Sequence, residues 1–309
     1  MTLRSLAISF LFATVAVGCT DATVDDEFAI ENTTEVDDTK ADLGGTYTYY
    51  IVKPDLRRCA APMCGGFWIE RVNRTTTKCG DGRFAARCYV AEIKWAELGL
   101  ADATRDEIIG TIHTASVVMR GTVGQKNFGA AIGKLGEFRP SEAWLGQGPN
   151  APSGPFVKLE ETGTRCITTP CPTFREKKLN DSVTASLAEL GWDHADVDDE
   201  VVGRAINELF VRNLIIAGDR YTVHGPGGTG KARTVTQLYT RARDRKACFV
   251  GGCSGQVCSD REGVVTTCQW RPEYACYRDA TCEEQVEGEC GWTETATLNA
   301  CVANPPQGE

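Results

Sequence analysis

Between residues 45 and 247 the chain alternates between two-residue and 3.6-residue hydrophobic rhythms. Tyr47 to Lys53 and Phe67 to Val72 carry the β-branched and aromatic content of strands, separated by a Cys-x4-Cys loop that holds Pro62. Next comes a helical pattern with apolar residues at Ile108, Ile109, Ile112 and Val117, preceded by Thr104 and Glu107 at capping-box spacing. A second stripe runs through Val201, Val202, Ala205, Ile206, Leu209 and Phe210, with Asp196 as its expected cap. Gly121 and Gly218 close the two helical regions, and strand character returns at Tyr221 to His224 and Thr234 to Tyr239.

These elements repeat. Arg58-Cys59-x4-Cys64-x2-Phe67-x4-Val72-Asn73 recurs as Arg165-Cys166-x4-Cys171-x2-Phe174-x4-Leu179-Asn180, an offset of 107 at each matched position. Ala96 to Gly99 recurs as Ala188 to Gly191 at offset 92, and Asp106 to Gly110 as Asp199 to Gly203 at offset 93. The sequence therefore predicts two tandem β-β-α-β-β copies, about 45–146 and 155–240, that share a core in an α+β fold. The falling offset implies an insertion of 15 residues in the first copy, between Asn73 and Ala96. Gly146 to Gly154, rich in Gly, Pro and Asn, reads as the linker between the copies.

The rest of the chain is patterned differently. Leu6 to Val17 is an apolar run behind Arg4, too short for the ~20 residues of a span and suited to a signal peptide over 1–18. Its end, Val15-Ala16-Val17-Gly18-Cys19, resembles the bacterial lipobox; that resemblance implies lipid (palmitate) attachment at Cys19, with ordinary cleavage near Gly18 as the alternative. Residues 19–44 are acidic and poor in large apolar side chains, the composition of a disordered tether. From Cys248 onward no apolar stripe could build a core, so disulfides are expected to stabilise 248–303.

Fifteen cysteines fit an exported chain. With Cys19 assigned to lipid, six remain in the middle (Cys59, Cys64, Cys79, Cys88, Cys166, Cys171) and eight at the end (Cys248, Cys253, Cys258, Cys268, Cys276, Cys282, Cys290, Cys301). Copy two holds only Cys166 and Cys171, so these are expected to pair, and Cys59 with Cys64 by equivalence. Cys79 and Cys88, read as part of the insertion, are expected to pair with each other. Connectivity of the eight terminal cysteines stays open.

The net charge of −9 is unevenly distributed: −8 over 20–44, +5 over 45–247 and −7 over 248–309. That balance excludes nucleic acid as a partner and weighs against adsorption to anionic lipid beyond the anchor.

Motifs with chemical meaning fail on context. Gly225-Pro226-Gly227-Gly228-Thr229-Gly230-Lys231 has phosphate-loop spacing, but Ala232 stands where Ser or Thr is needed and a strand follows in place of a helix. It reads as a glycine-rich hairpin turn, so no nucleotide is expected. The terminal cysteines lack zinc spacing, and the acids from Asp193 to Glu200 lack the glycine and distal glutamate of an EF-hand, so no metal or cofactor is expected. His113, His194 and His224 fall in different elements, and Ser254 misses the nucleophile elbow at Gln256, so no catalytic residue is assigned.

The closing segment is similar to the bacterial eight-cysteine-cluster domain, through Gly252-Cys253-Ser254-Gly255-Gln256-Val257-Cys258, Arg271 to Arg278 and Cys290-Gly291-Trp292-Thr293. The duplicated region, through its Arg-Cys-x4-Cys block and Val72-Asn73, resembles an uncharacterised secreted bacterial family that accompanies that domain. Cys282-x7-Cys290-x10-Cys301, with Gly291 and Asn299, is similar to the centre of Kazal-type protease inhibitors; this resemblance would put Glu284 at the inhibitory position. The expectation is a non-enzymatic cell-envelope lipoprotein, a binding or structural module for an extracytoplasmic protein. A protease inhibitor is the alternative and an enzyme of unrecognised type the third reading. Thr20 after Cys19 points to the outer membrane more than the inner, with a soluble periplasmic or secreted form as the alternative.

Overall fold

The computed structural model describes residues 48–285 and 287–306. The signal peptide, Cys19 and the acidic tether lie outside the described residues. In the first half, β1 (Thr48–Pro54) pairs antiparallel with β2 (Phe67–Arg71). A side hairpin, β3 (Thr77–Lys78) and β4 (Phe84–Ala85), precedes β5 (Cys88–Ile93), which joins β2. Helix α1 (Asp102–Thr114) leads into β6 (Val117–Asn127), paired with β1, and then β7 (Lys134–Gly146), paired with β6. Because β7 also runs parallel to β5, the order β5-β2-β1-β6-β7 closes into a five-stranded ring. Inward residues Val52, Ile69, Val90 and Phe138 fill it together with Ile108 and Ile112 of the helix.

The second half contains β8 (Phe156–Glu161), β9 (Phe174–Lys178), β10 (Thr184–Leu187), β11 (Glu189–Gly191), α2 (Asp199–Val211), β12 (Leu214–Ala217), β13 (Arg220–Gly225), β14 (Gly228–Thr234) and β15 (Gln237–Arg241). Its pairings follow the same circuit, with the parallel closure supplied by β11 and β14. The registers correspond residue by residue. Tyr50 faces Arg71 as Val157 faces Lys178, an offset of 107. Tyr50 faces Met119 as Val157 faces Ile216, so the last strands are offset by 97. Ile93 faces Phe138 as Leu190 faces Arg233.

These registers correct the expected architecture. Each half is β-β-β-α-β-β, with an extra strand before the helix. The first half also has an interior of its own, in addition to the joint it shares with the second. The first half is longer by 10 residues here, not 15, because both helices start at equivalent aspartates, Asp102 and Asp199. The match of Asp106 to Asp199 slips by four residues, close to one helical turn, which an amphipathic pattern tolerates. Ala96 to Gly99 belongs to a 3-10 turn whereas Ala188 to Gly191 enters β11, so those blocks are not equivalent. Cys88 faces Ile69 as Ala185 faces Glu176, so only Cys79 of that pair lies in the extra segment. Gly121 and Gly218 lie beyond the helix ends, in or beside strands.

The halves meet along β7 and β15, where Leu145 faces Thr240 between the reciprocal pairs Trp144–Arg241 and Gly146–Tyr239. A joint apolar cluster of Val72, Val118 and Trp144 with Phe156, Leu179, Ile215 and Tyr239 lies there. Two asparagines lock it. Asn73 accepts from the Phe156 amide (2.8 Å) and donates to the carbonyls of Phe156 (2.7 Å) and Leu179 (2.9 Å). Asn180 repeats this toward Tyr49 (2.8 Å for both bonds) and Val72 (2.9 Å). Both sit in the left-handed region, at φ 58° and 59°, which asparagine tolerates better than most residues.

After β15 the chain caps the first helix and docks the last domain. Asp244 accepts from the Ala101 amide and the Thr104 hydroxyl, both at 2.8 Å, so Thr104 is satisfied from outside and forms no capping box with Glu107. At α2 the N-cap is Asp198, with Asp196 two residues upstream at φ 50°. The C-terminal region has two small hairpins, β16 (Phe249–Gly251) with β17 (Val257–Ser259) and β18 (Cys282–Glu284) with β19 (Cys290–Trp292). A 3-10 segment over Pro272–Asp279 and helix α3 (Ala296–Ala303) complete it. Its buried residues are Cys276, Thr293 and Leu298 among the described ones, so covalent bonds do what a core would do elsewhere.

Candidate functional site

All fourteen described cysteines are bonded. The first three bridges are Cys59–Cys64, Cys79–Cys88 and Cys166–Cys171, the pairing to which the repeat argument leads. The terminal eight pair as Cys248–Cys290, Cys253–Cys268, Cys258–Cys282 and Cys276–Cys301. A bonded sulfur is neither nucleophile nor metal ligand.

Glu284, the expected inhibitory position, is not on an exposed loop. It lies in β18 with its side chain 8% exposed, 2.7 Å from Arg243 Nη1, and it accepts from the Lys246 amide at 2.7 Å. Those bonds hold its carboxyl below the usual range against the opposing effect of burial. Arg245 meets Glu283 at 3.3 Å and Lys246 meets Glu289 at 3.9 Å, so the basic segment before Cys248 is the latch for the acidic terminal domain. Glu284 serves that latch. Trp270 meets Tyr274 edge-on and Tyr277 stacks on Trp292 at 5.1 Å, so the terminal aromatics contact one another.

The glycine-rich phosphate-loop lookalike forms the turn of β13 and β14. Its glycines have a packing cause: a Cβ on Gly225 would lie 2.5 Å from the Thr169 carbonyl, and one on Gly230 would lie 2.7 Å from Pro170. The Gly227 amide donates to Thr169 at 2.7 Å, so the hairpin is a seat for the Cys166–Cys171 loop. The acids Asp193, Asp196, Asp198 and Asp199 line a pocket of about 270 Å³ beside Trp192. Among the described residues no group of three or more His, Cys, Asp or Glu is arranged to hold a metal. His113 is in α1, His194 follows β11 and His224 is in β13, 3.2 Å from Thr229.

One surface cluster is built with care, and sequence reading missed it. Asp55, at the end of β1, is buried beneath Arg57, which binds both its oxygens at 2.9 to 3.0 Å. The Arg57 amide donates to Asp55 at 3.1 Å and the Trp68 indole N–H at 3.2 Å. Arg57 also lies over the rings of Trp68 (4.8 Å) and Tyr89 (4.9 Å), while Arg87 covers Trp68 at 4.6 Å. Tyr89 Oη donates to the Pro62 carbonyl at 2.7 Å and Arg57 to that of Met63 at 3.1 Å, pinning the Cys59–Cys64 loop. The Arg57 guanidinium holds the Asp55 carboxyl down to about 2. Asp-x-Arg between a strand and a short disulfide loop was the available signal. The second half keeps only the turn: Thr162 accepts from the Thr164 amide at 3.2 Å.

The fold and this site together define a two-ring α+β domain joined to a disulfide-stapled module. The chain belongs to the family described as a domain of unknown function, DUF6748, whose model matches residues 48–255, about two thirds of the chain. The match thus covers both halves and reaches the first hairpin of the terminal region. No curated protein matches, and no solved structure does.

Proposed function

We propose that this protein is a non-enzymatic binding module of the bacterial cell envelope, anchored by lipid at Cys19 and joined to its partner through the first half of the DUF6748 domain. The observation that carries this reading is the Asp55–Arg57–Trp68–Tyr89 cluster. A bidentate ion pair, a cation–π stack and a six-residue disulfide ring hold one exposed loop in a single shape, and such pre-organisation favours recognition. The disulfides support an oxidising, extracytoplasmic setting. No helix of the described residues is long and apolar enough to cross a membrane, and the lipobox-like Val15 to Cys19 supports attachment by acyl chain, the outer membrane being favoured by Thr20. The matching registers support descent of the two halves from one duplicated unit.

The test is photo-crosslinking in intact cells with a reactive group at Met63, read by mass spectrometry. A discrete protein adduct is expected, lost on reduction of the loop. No adduct, together with turnover of a hydrolase substrate panel by the purified chain, would contradict the reading. Detergent partitioning of the parent but not of Cys19→Ser checks the anchor.

A further inference from the structure

The outer face of the first half is chemically distinct from the equivalent face of the second. Lys53, Trp68 and Tyr89 form one cross-strand row, where the second half has Glu160, Arg175 and Ser186. Arg57 on this face is offset by Asp55, whereas the exposed Arg58 and Arg87 have no carboxylate partner among the described residues. Arg87 is nonetheless held in place on the indole, so its charge is aimed without being neutralised. Leu56, next to Arg57 in the chain, and Met63, whose carbonyl Arg57 binds, are 80% and 59% exposed. Lys53 on this face is paired with Glu70 as Arg57 is with Asp55, which leaves Arg58 and Arg87 as its uncompensated cations.

We propose that this face docks an acidic, extended segment of a partner protein. Its carboxylates pair with Arg58 and Arg87, and its apolar side chains cover Leu56 and Met63. The inference rests on the binding-module reading and gives the partner its chemistry. A nucleic acid would find only two uncompensated arginines here on a chain of net charge −9, too few for its row of phosphates. A broad anionic membrane would meet the chain's −9 net charge, whereas a short segment meets only the local excess of Arg58 and Arg87.

The experiment uses the full oxidised chain and a fluorescein-labelled dodecapeptide of repeating Glu-Glu-Leu, followed by anisotropy at two salt concentrations. Repeating Ser-Ser-Leu and phosphatidylglycerol vesicles are the comparison probes. Binding of the acidic peptide is expected, weakened about tenfold by Arg58→Gln with Arg87→Gln and within about twofold of the parent for Arg175→Gln on the second half. Thermal melts of the variants check folding. Equal affinity in the double variant, or no binding by the parent, overturns the inference. So does vesicle binding abolished by the same double variant, which assigns the face to lipid. A gain of about tenfold on deleting residues 20–44 would make the chain's own acidic segment the occupant and also overturn it. Any of these outcomes leaves the cross-linking test at Met63 standing as the separate check on the binding-module reading.

Discussion

The two rings share a hydrogen-bond plan and a largely apolar filling, but the second buries a charged cluster at positions where the first is apolar. In the first, Ile69 and Phe138 lie inside, with the Phe138 ring so close to Gly121 that a Cβ there would be 2.6 Å from it. At the equivalent places the second ring has Glu176, Arg233 and Gly218. Arg233 binds Glu176 through Nε at 2.6 Å and Nη2 at 3.0 Å and donates to the Gly218 carbonyl; neither charged side chain has any exposure. Arg220 adds a contact to Glu176 at 3.0 Å where the first half has Val123. A backbone circuit of this kind therefore does not dictate an apolar residue at every inward position. It tolerates a charged cluster when each charge meets another, though desolvation leaves such a pair little net advantage over a hydrophobic filling.

Breaking the charged interior should have the largest effect. Glu176→Leu leaves the Arg233 guanidinium buried against no carboxylate and should cost about 3–5 kcal/mol in urea unfolding. Ile69→Ala, its apolar counterpart, should cost about 2–5 kcal/mol by cavity formation. A loss below ~1 kcal/mol for Glu176→Leu would mean that the ion pair is not sealed from water.

Next in size is the joint. Asn73→Ala and Asn180→Ala each remove three hydrogen bonds to backbone groups and place alanine at positive φ. Each should cost about 2–4 kcal/mol, the two values agreeing within about 1 kcal/mol because the bonds are reciprocal. Widely unequal losses would break the symmetry of the interface.

The smallest effect concerns the outer faces. Asp55 has a carboxyl pKa held near 2, below the unfolded value of about 3.9. Its contribution is therefore complete above about pH 4 and disappears as pH falls toward 2. The Trp68 indole N–H resonance should shift across that window and stay fixed from pH 5 to 8. A shift centred near pH 4 would show that Arg57 does not hold the carboxylate.

How much of this was legible in the sequence depends on the range of each interaction. Strands β1 and β2, the α2 stripe and the three short disulfide loops follow from local spacing. Strand β5 was missed because Cys88 to Ile93 sits between a cysteine-rich insert and a helix-like Trp-Ala-Glu-Leu. Strand β9, Phe-Arg-Glu-Lys-Lys, reads as a solvent-exposed ribbon, since nothing local reveals that Glu176 meets an arginine 57 residues later. The Asp55 cluster draws on β2, β5 and the loop after β1, three segments brought together only by the fold.

The most direct test of the equivalence between the halves is to give the second ring the interior of the first, with Glu176→Ile, Arg220→Val and Arg233→Phe together. If the positions correspond as the registers state, the full-length triple variant should unfold cooperatively in urea with stability equal to the parent or higher by about 1–4 kcal/mol. A loss of about 3 kcal/mol or more, as large as that of Glu176→Leu alone, would contradict the correspondence.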